Sequence, residues 1–582
     1  MSTTNIDAKI LSQKSVSHVN HMGGESYHPS PLMKAEMMML SGFLGEPTYY
    51  NPVTKSSDEV HTPAHDSSIL ISYLIGADTR DRKVQFYEAI NHALDYDFMG
   101  TLNLIVRSRN EFMMRRSPAQ AIAIAAAHPN RQSFNEANPS VFRDAVVKSC
   151  PLPGDMIAIL DAWKSLKGSK SGFPSFLKRS FDDRLGKATA YQTAKYPRQS
   201  RDSVRISHSS PTTLVQELMT TGSVEVDEKD TKWETLRSNG KSWRETLDIL
   251  EWKLPHMAAL RNLRSFAISV RDEEMIRRYC KMLENGVHGG KQFPFRYISA
   301  LEAVNASITP KKFGSKGGKG FKGGKAGTTN PVKYHPKPMR QRDAEIIRES
   351  LEICLQKSIA NHPKLEGDVV VLSDNSGSAW GAFTSEYGSK TVADIGNLSA
   401  LITAMSCTGR GMIGLFGDRL LEYEVDKNRP LLDQYQEMKT LAGSRGSNVG
   451  VSTENGIWLF FKRAFADPES YRFDHFFCYS DMQAGHGGLY GDDPDMDDEW
   501  LWSPSSNQYR HSTRHIHVPK LMNHYREKIN SKMSCFMVQT AGYNDSIMPE
   551  TMYRGAILNG WTGREVVYAK NMLDLWDKFD SA

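Results

Sequence analysis

The sequence predicts a multidomain protein in which an array of α-helices is followed by a doubly wound α/β domain. The chain has 582 residues, which is too many for a single hydrophobic core. Between about residues 45 and 310, apolar residues recur at spacings of three and four, the period of amphipathic helices. After residue 365, β-branched runs alternate with amphipathic segments, which predicts a mostly parallel sheet covered by helices on both faces.

The composition is that of an ordinary globular protein, with 39% hydrophobic and 24% charged residues. Its longest apolar runs, such as "AQAIAIAAA" at 119–127, are too short to span a membrane. The N-terminal segment is polar and has no apolar signal core, so we expect a cytoplasmic protein without a membrane partner. Its six cysteines are far apart and form no Cys-x-x-Cys pair, which favours reduced thiols over a zinc ribbon or a disulfide framework.

The helical half consists of successive amphipathic segments without a strict repeat, and such helices can stack as a solenoid. Ser242 and Asp272 precede two of these segments and are predicted N-caps. We expect three parts in the chain: a polar N-terminal extension at 1–44, the helical domain at 45–364 and the α/β domain at 365–582.

A Lys/Gly-rich segment at 311–341 interrupts the helical domain and is predicted to be a flexible linker. Its lysines make it either a nonspecific RNA tether or a solubilising linker, and the sequence leaves both open. The "GKGFKG" within it fits a dinucleotide-binding fingerprint only formally, because no strand precedes it and no helix follows.

In the α/β half, the alternation predicts four strands and four helices. The predicted strands are 368–373, 412–416, 473–479 and 534–539, and the predicted helices are 391–406, 430–442, 453–465 and 518–529.

Hard oxygen ligands follow the predicted strands in three loops. Asp374, Ser376 and Ser378 end the first strand, Ser447 lies in a Gly-rich loop, and Asp481 ends the third strand. Since the carboxyl ends of parallel strands meet at one edge, these side chains are predicted to converge on Mg²⁺, with Mn²⁺ as the alternative ion. The competing interpretation is that Asp-x-Ser-x-Ser is an ordinary polar turn.

This arrangement resembles the metal-ion-dependent adhesion site (MIDAS) of von Willebrand factor A domains. That family generally has Thr in the second loop, where this chain has Ser447, followed by Asn448 where Ro-type proteins often have Asp. The resemblance implies a domain that binds a metal and a partner and is not a catalyst. We accordingly find no catalytic Ser/His/Asp order in the sequence and expect no enzyme.

A basic strip lies in the helical half, within "GFPSFLKRSFDDRLGKATAYQTAKYPRQSRDSVRISHSSP" at 172–211. Cations alternate there with aromatic residues and serines, and acids are few after Asp183. That asymmetry favours a phosphate-binding surface over a solvated helix face. The candidate RNA-binding residues are Lys195, Arg198, Arg201, Arg205 and His208. A histidine such as His208 alone is more typical of a structural role, but the neighbouring cations make RNA binding equally plausible.

Together with "LPHMAALRNLRSFAIS" and "FPFRYISALEAVN", this strip resembles the TROVE domain of Ro ribonucleoproteins. The resemblance implies a ring of HEAT-like repeats bridged by the von Willebrand A-like domain. It also implies binding of small noncoding Y-like RNA on the outer surface, single-stranded ends of misfolded RNA in the central hole, a role in RNA quality control, and an exoribonuclease as a candidate partner. Lys195, Arg198, Arg205 and His208 match the family's Y-RNA-contacting positions, whereas Arg201 is added from the charge pattern alone.

Two other functions compete with an RNA scaffold. One is an adhesion-type module that captures an acidic side chain of a protein partner through its metal, with no RNA role. The other is a nuclease that uses Asp374 and Asp481, but the sequence offers no second metal site or general base. Zinc at His511, His515 and His517 is disfavoured because no cysteine or paired acid is nearby, and the acidic "GDDPDMDDEW" at 491–500 is predicted to be a solvated loop.

Overall fold

The computed structural model of the chain describes residues 17–19, 25–40, 82–168, 170–226, 232–290, 292, 294–308, 338–360, 363–381, 391–450, 454–482, 516–541, 546–550, 552–559 and 565–580. Two compact units make up the chain. The first contains the described residues up to 226 and those from 363 onward, and the second contains residues 232–360.

The N-terminal part of the first unit is a two-stranded hairpin followed by stacked helices. The hairpin strands are β1 (Ser17–Val19) and β2 (Glu25–Tyr27). The helices are α1 (Pro31–Leu40), α2 (Arg82–Tyr96), α3 (Phe98–Asn110), α4 (Arg116–Ala127), α5 (Arg131–Ala137), α6 (Val141–Ser149), α7 (Pro153–Lys167), α8 (Ser175–Gly186), α9 (Ala190–Lys195), α10 (Pro197–Ser207) and α11 (Thr213–Thr221). Helices close in sequence pack together, with α4 on α7 and α7 on α10. This is the stacking that the amphipathic pattern predicted.

The second unit is helical throughout its described part. Its helices are α12 (Trp233–Ser238), α13 (Trp243–Ile249), α14 (His256–Val270), α15 (Glu273–Gly290), α16 (Pro294–Asn305) and α17 (Gln341–Ala360). Ser242 and Asp272 cap helices as predicted: the Ser242 side chain accepts from the Glu245 amide at 3.2 Å, and Asp272 accepts from the Met275 amide at 3.2 Å.

A buried histidine fixes the packing of α14 against α15 and α16. The Nε2 atom of His256 lies 2.9 Å from the Tyr297 hydroxyl. A Cβ atom at Gly290 would lie 2.3 Å from the imidazole ring, and one at Gly286 would lie 2.8 Å from it. The two glycines are therefore required by the close approach of α15 to this side chain.

The α/β part of the first unit contains a six-stranded sheet. Its strands are β3 (Val369–Asp374), β4 (Gly411–Phe416), β5 (Leu420–Glu424), β6 (His475–Ser480), β7 (Ser534–Gln539) and β8 (Gly555–Asn559). They are ordered β5-β4-β3-β6-β7-β8, and all neighbours are parallel except the β4–β5 pair. The accompanying helices are α18 (Gly377–Gly381), α19 (Val392–Met405), α20 (Leu431–Ala442), α21 (Glu454–Ala466), α22 (Val518–Lys528) and α23 (Glu565–Asp580).

The predicted fold class is confirmed, and the four predicted strands begin and end within two residues of β3, β4, β6 and β7. These strands are fully buried, which explains their continuous apolar runs. The sequence pattern did not predict β5, β8 or α23. Strand β5 is a short antiparallel edge strand whose burial alternates along "LLEYE", so its signal is weaker than that of the central strands.

Helix α1 lies within the segment that the composition described as a polar extension, and its methionines at 37–39 are buried. Met37 belongs to the same core as Leu372 and Phe476 of the sheet. α1 also packs against α2, and the Met39 carbonyl accepts a hydrogen bond from Ser117 at 2.9 Å. This helix therefore lies between the sheet and the stacked helices of the first unit.

None of the described helices has the length and apolar character required to cross a bilayer. The six cysteines are all buried as free thiols.

Candidate metal centre and nucleic-acid interface

The first predicted metal ligand lies at the carboxyl end of β3. Asp374 is buried, and its Oδ1 atom accepts a hydrogen bond from the Ser376 amide at 2.9 Å. Its Oδ2 atom accepts one from the Ser480 hydroxyl, at the end of neighbouring β6, at 2.6 Å. The Ser376 and Ser378 hydroxyls lie 3.2 Å apart. The Asp-x-Ser-x-Ser segment thus presents its oxygen atoms together at this edge of the sheet.

A pair of buried asparagines holds this loop in place. Asn375 and Asn397 are fully buried, and each side-chain amide donates to the other's carbonyl oxygen at 2.9 Å. The Asn375 backbone amide also donates to the Phe416 carbonyl of β4 at 2.8 Å. The loop is therefore fixed to α19 on one side and to β4 on the other.

Asp481 follows β6, which pairs in parallel with β3. The residue is fully buried, and its carbonyl oxygen accepts a hydrogen bond from Gln539 at 3.0 Å. Its backbone also hydrogen-bonds to the Asp374 carboxylate. The two predicted carboxylate ligands therefore lie at adjacent strand ends, as the topology predicted.

The third predicted loop is next to the first. Residues Ser444–Gly446 form a 3-10 turn that packs against α18. A Cβ atom on Gly446 would lie 2.2 Å from the Asn375 carbonyl oxygen, so only glycine allows this approach. Ser447 follows this turn and is exposed, with its hydroxyl against Gly443. The structure brings the loop of Ser447 beside that of Asp374, although within the described ranges no hydrogen bond joins these two side chains directly.

Burial raises the pKa of Asp374, and hydrogen bonds from Ser376, Ser480 and the Asp481 backbone oppose that increase. A cation near the two carboxylates would offset the same desolvation. The described residues contain no group of three His, Cys, Asp or Glu side chains arranged for a metal ion. The oxygen atoms present fit a hard ion that keeps hydroxyl and water ligands, and they do not fit a site made by carboxylates alone.

The predicted RNA-binding residues lie along α10 and its two ends. The face of α10 that packs on α7 consists of small buried side chains, and these are Ser200, Ser203, Val204 and Ser207. The spacing of three and four residues puts Arg198 and Arg205 on the opposite, exposed side, with the partly buried Arg201 beside them and His208 just past the last turn. The structure therefore gathers the predicted cations on one face.

Few carboxylates accompany this face. Arg198 is exposed and lies 3.5 Å from Asp202, one turn away. Within the described part of the chain, no carboxylate forms an ion pair with Lys195, Arg201 or Arg205. His208 follows the last residue of α10 in the left-handed conformation, with φ of 54°, and its side chain is exposed. The exposure favours the binding interpretation of His208 over that of a buried structural histidine.

Of the three histidines considered as zinc ligands, only His517 lies among the described residues. His517 caps α22 by accepting a hydrogen bond from the Lys520 amide at 3.3 Å. His511, His515, the acidic segment 491–500 and most of the Lys/Gly-rich segment 311–341 lie outside the described residues.

Sequence reasoning missed two kinds of contributor to these sites. Asn397 and Ser480 support Asp374 and its loop, but no spacing in the sequence relates them to it. Tyr191 and Tyr196 flank Lys195, with ring centres 5.4 and 5.9 Å from its Nζ atom. The "YQTAKY" string is the signal that would have identified these tyrosines.

No protein-family model and no curated protein sequence matches the chain. Among solved structures, the Ro (RSR) protein of Deinococcus radiodurans matches with a TM-score of 0.51 and 12% sequence identity. The match covers 93% of this chain and 100% of that one. At this identity, the match shows a shared fold. The chain therefore has the fold of a Ro protein.

Proposed function

We propose that the protein is an RNA-binding scaffold that holds a small structured noncoding RNA, of the Y-like class, against the exposed face of α10. The observation that carries this proposal is the division of α10 into a serine-lined packed face and a cationic outer face. The shared fold with a Ro protein is consistent with it.

The outer face has the charge that a phosphate backbone requires. Lys195, Arg201 and Arg205 have no ion-pair partner among the described residues. Phosphate can therefore bind to them without the loss of an existing ion pair. The residues from Arg198 to His208 extend about 15 Å along the helix at ~1.5 Å per residue, enough to follow several phosphates. Such contacts position an RNA helix without reading its sequence.

The second RNA class, single-stranded ends of misfolded RNA, rests on the resemblance to TROVE proteins alone. The same is true of an exoribonuclease partner and of a role in RNA quality control. We propose these roles as parts of the same scaffold function, and no described residue is assigned to them.

We further propose that Asp374, Ser376, Ser378, Ser447 and Asp481 hold Mg²⁺ or Mn²⁺. Two buried carboxylates at adjacent strand ends support this assignment, as does the neighbouring position of the Ser447 loop. A bound ion would supply positive charge and an open coordination position, and Asp374 would keep its place through Ser480 and Ser376. An adhesion-type module without an RNA role would use this same site, so the metal does not distinguish the two functions.

The RNA content of the purified protein distinguishes an RNA-binding scaffold from an adhesion-type module. The full chain is purified, its absorbance ratio at 260 and 280 nm is measured before and after nuclease treatment, and the nuclease-treated protein is titrated with a labelled stem-loop RNA. An RNA scaffold should retain nucleic acid and bind the stem-loop with strong salt dependence. A protein that carries no nucleic acid and does not bind the stem-loop at low salt contradicts the proposal and favours the adhesion-type module.

A further inference from the structure

Lys195 lies close to two tyrosine rings at one end of the α10 face. Its Nζ atom is 5.4 Å from the centre of the Tyr191 ring and 5.9 Å from that of Tyr196. It also donates a hydrogen bond to the Tyr191 hydroxyl at 3.4 Å. Because no described carboxylate pairs with Lys195, the immediate neighbours of its ammonium group are aromatic.

The backbone sets the position of the second ring. Tyr196 follows α9 and precedes Pro197, the first residue of α10, with φ of −121° and ψ of 54°. This break in the helical path places Tyr196 at the N-terminal end of the α10 face. Tyr191 and Tyr196 are both partly exposed.

A ligand that is both negatively charged and flat fits this group of three side chains. The ring faces offer stacking to any base, and the ammonium offers a charge to a phosphate. A base within a duplex is already stacked and paired, so only an unpaired nucleotide can occupy such a position.

We propose that Tyr191 and Tyr196 form a stacking site for one unpaired nucleobase and that Lys195 contacts the phosphate of that nucleotide. This rests on the proposed binding of RNA to α10 and names the RNA class: a helix that carries an unpaired nucleotide next to the segment held by Arg201 and Arg205. The tyrosines then determine which RNA is preferred, while the arginines supply general affinity.

The test uses the full chain and two RNAs, a perfectly paired stem-loop and the same stem with one unpaired adenosine. Dissociation constants are measured at one fixed salt concentration, and circular dichroism verifies the fold of each variant. The variants are Tyr191→Leu, Tyr196→Leu, the double change, and the corresponding phenylalanine substitutions. Tyr96→Leu is the matched control, because Tyr96 is 48% exposed on α2 and lies outside the α9–α10 segment.

The wild-type protein should prefer the RNA with the unpaired adenosine. The leucine variants should lose roughly fivefold to hundredfold in affinity for that RNA, as expected when a base–aromatic stack is removed, and should bind the paired stem-loop nearly as before. The phenylalanine variants should retain the preference, since stacking requires the ring and not the hydroxyl. Tyr96→Leu should behave as the wild type.

Equal losses for both RNAs would show that the tyrosines only hold Lys195 in place, and unchanged affinities would show that they contribute nothing; either result overturns the stacking site. If the wild-type protein binds both RNAs and only the preference is missing, the proposed function stands without it. If the wild-type protein binds neither RNA, the proposed function fails and this inference fails with it.

Discussion

The side chains of Asn375 and Asn397 form a reciprocal pair of hydrogen bonds, each 2.9 Å long, in the fully buried space between the β3 loop and α19. Asn397 also accepts a hydrogen bond from Ser373 at 2.7 Å. One helix residue thus positions both neighbours of Asp374. The candidate metal centre depends on this amide pair, although neither asparagine is itself a predicted ligand.

Replacing Asn397 with leucine should destabilise the protein by roughly 1–3 kcal/mol, because the buried Asn375 amide and Ser373 hydroxyl lose their partner. The free energy of unfolding in urea measures this. Asn91→Ala is a suitable control, since Asn91 is only partly buried and its amide donates to the Tyr87 carbonyl within its own helix. Equal stabilities of the Asn397→Leu and wild-type proteins would show that the pair does not hold the loop.

Asp374→Ala should abolish Mn²⁺ binding, and Asp481→Ala should weaken it. Asp374→Asn should also abolish binding while keeping the size of the side chain, because the ion requires the negative charge. Isothermal titration with Mn²⁺ measures the effect, and Glu424→Ala at an exposed position of β5 is a charge-matched control. RNA affinity should be unchanged in all these variants. Loss of RNA binding in a folded Asp374→Asn protein would place the α/β domain within the RNA site.

The stability of the protein should fall in mild acid through His256. Burial lowers the pKa of His256 to about 4, whereas an imidazole in the unfolded chain has a pKa of about 6.5. As the pH falls, the unfolded state therefore binds the proton first. The contribution of His256 to the free energy of unfolding, up to roughly 3 kcal/mol, is complete above pH ~6.5 and is lost as the pH falls toward about 4. Urea unfolding between these pH values measures it. His256→Asn should show a shallower dependence, and identical slopes would contradict the assignment.

Tyr568 of α23 should stabilise the contact between the α/β part and the stacked helices of the first unit. Its ring lies parallel to that of Phe112, with centres 5.1 Å apart, and its hydroxyl donates to Glu111 at 2.7 Å. Tyr568→Phe should cost about 1 kcal/mol because this hydrogen bond is removed, and Tyr568→Ala should cost more because the stacking is removed as well. Thermal unfolding measures both, with Tyr87→Phe at an exposed position of α2 as the control. The idea fails if Tyr568→Ala unfolds like the wild type.

The central strands could be predicted because each is buried on both faces and therefore reads as a continuous apolar run. Asp374 and Asp481 followed from the same reasoning, since parallel neighbours end at one edge. The edge strand β5 could not be distinguished from a loop in this way. Nor could α1, because "PLMKAEMMML" is short and its burial depends on two partners distant in sequence.

The positive charge of the α10 face and the helical spacing of its cations could be predicted, but the side chains that surround them could not. Serine is equally common on exposed surfaces, so only the structure shows that Ser200, Ser203 and Ser207 form the packed face. The ion pair of Arg198 with Asp202 could be predicted, because residues four apart in a helix are neighbours on its surface. Whether Arg201 and Arg205 form ion pairs depends on which helices pack beside α10, and the sequence does not show that packing.

The cations of the α10 face are proposed to bind RNA, and the salt dependence of RNA binding can be compared between two triple variants. The first variant replaces Lys195, Arg201 and Arg205 with alanine. The control variant removes three cations that already have carboxylate partners, and these are Arg277, Lys281 and Lys570.

The decisive measurement is the slope of log Kd against log salt concentration for a labelled stem-loop RNA. The triple change at Lys195, Arg201 and Arg205 should weaken binding at low salt and reduce the magnitude of the slope by about 2–3, nearly one for each phosphate that the protein no longer neutralises. The control variant should keep the wild-type slope. A folded triple variant with unchanged affinity and slope would contradict the assignment of RNA to this face.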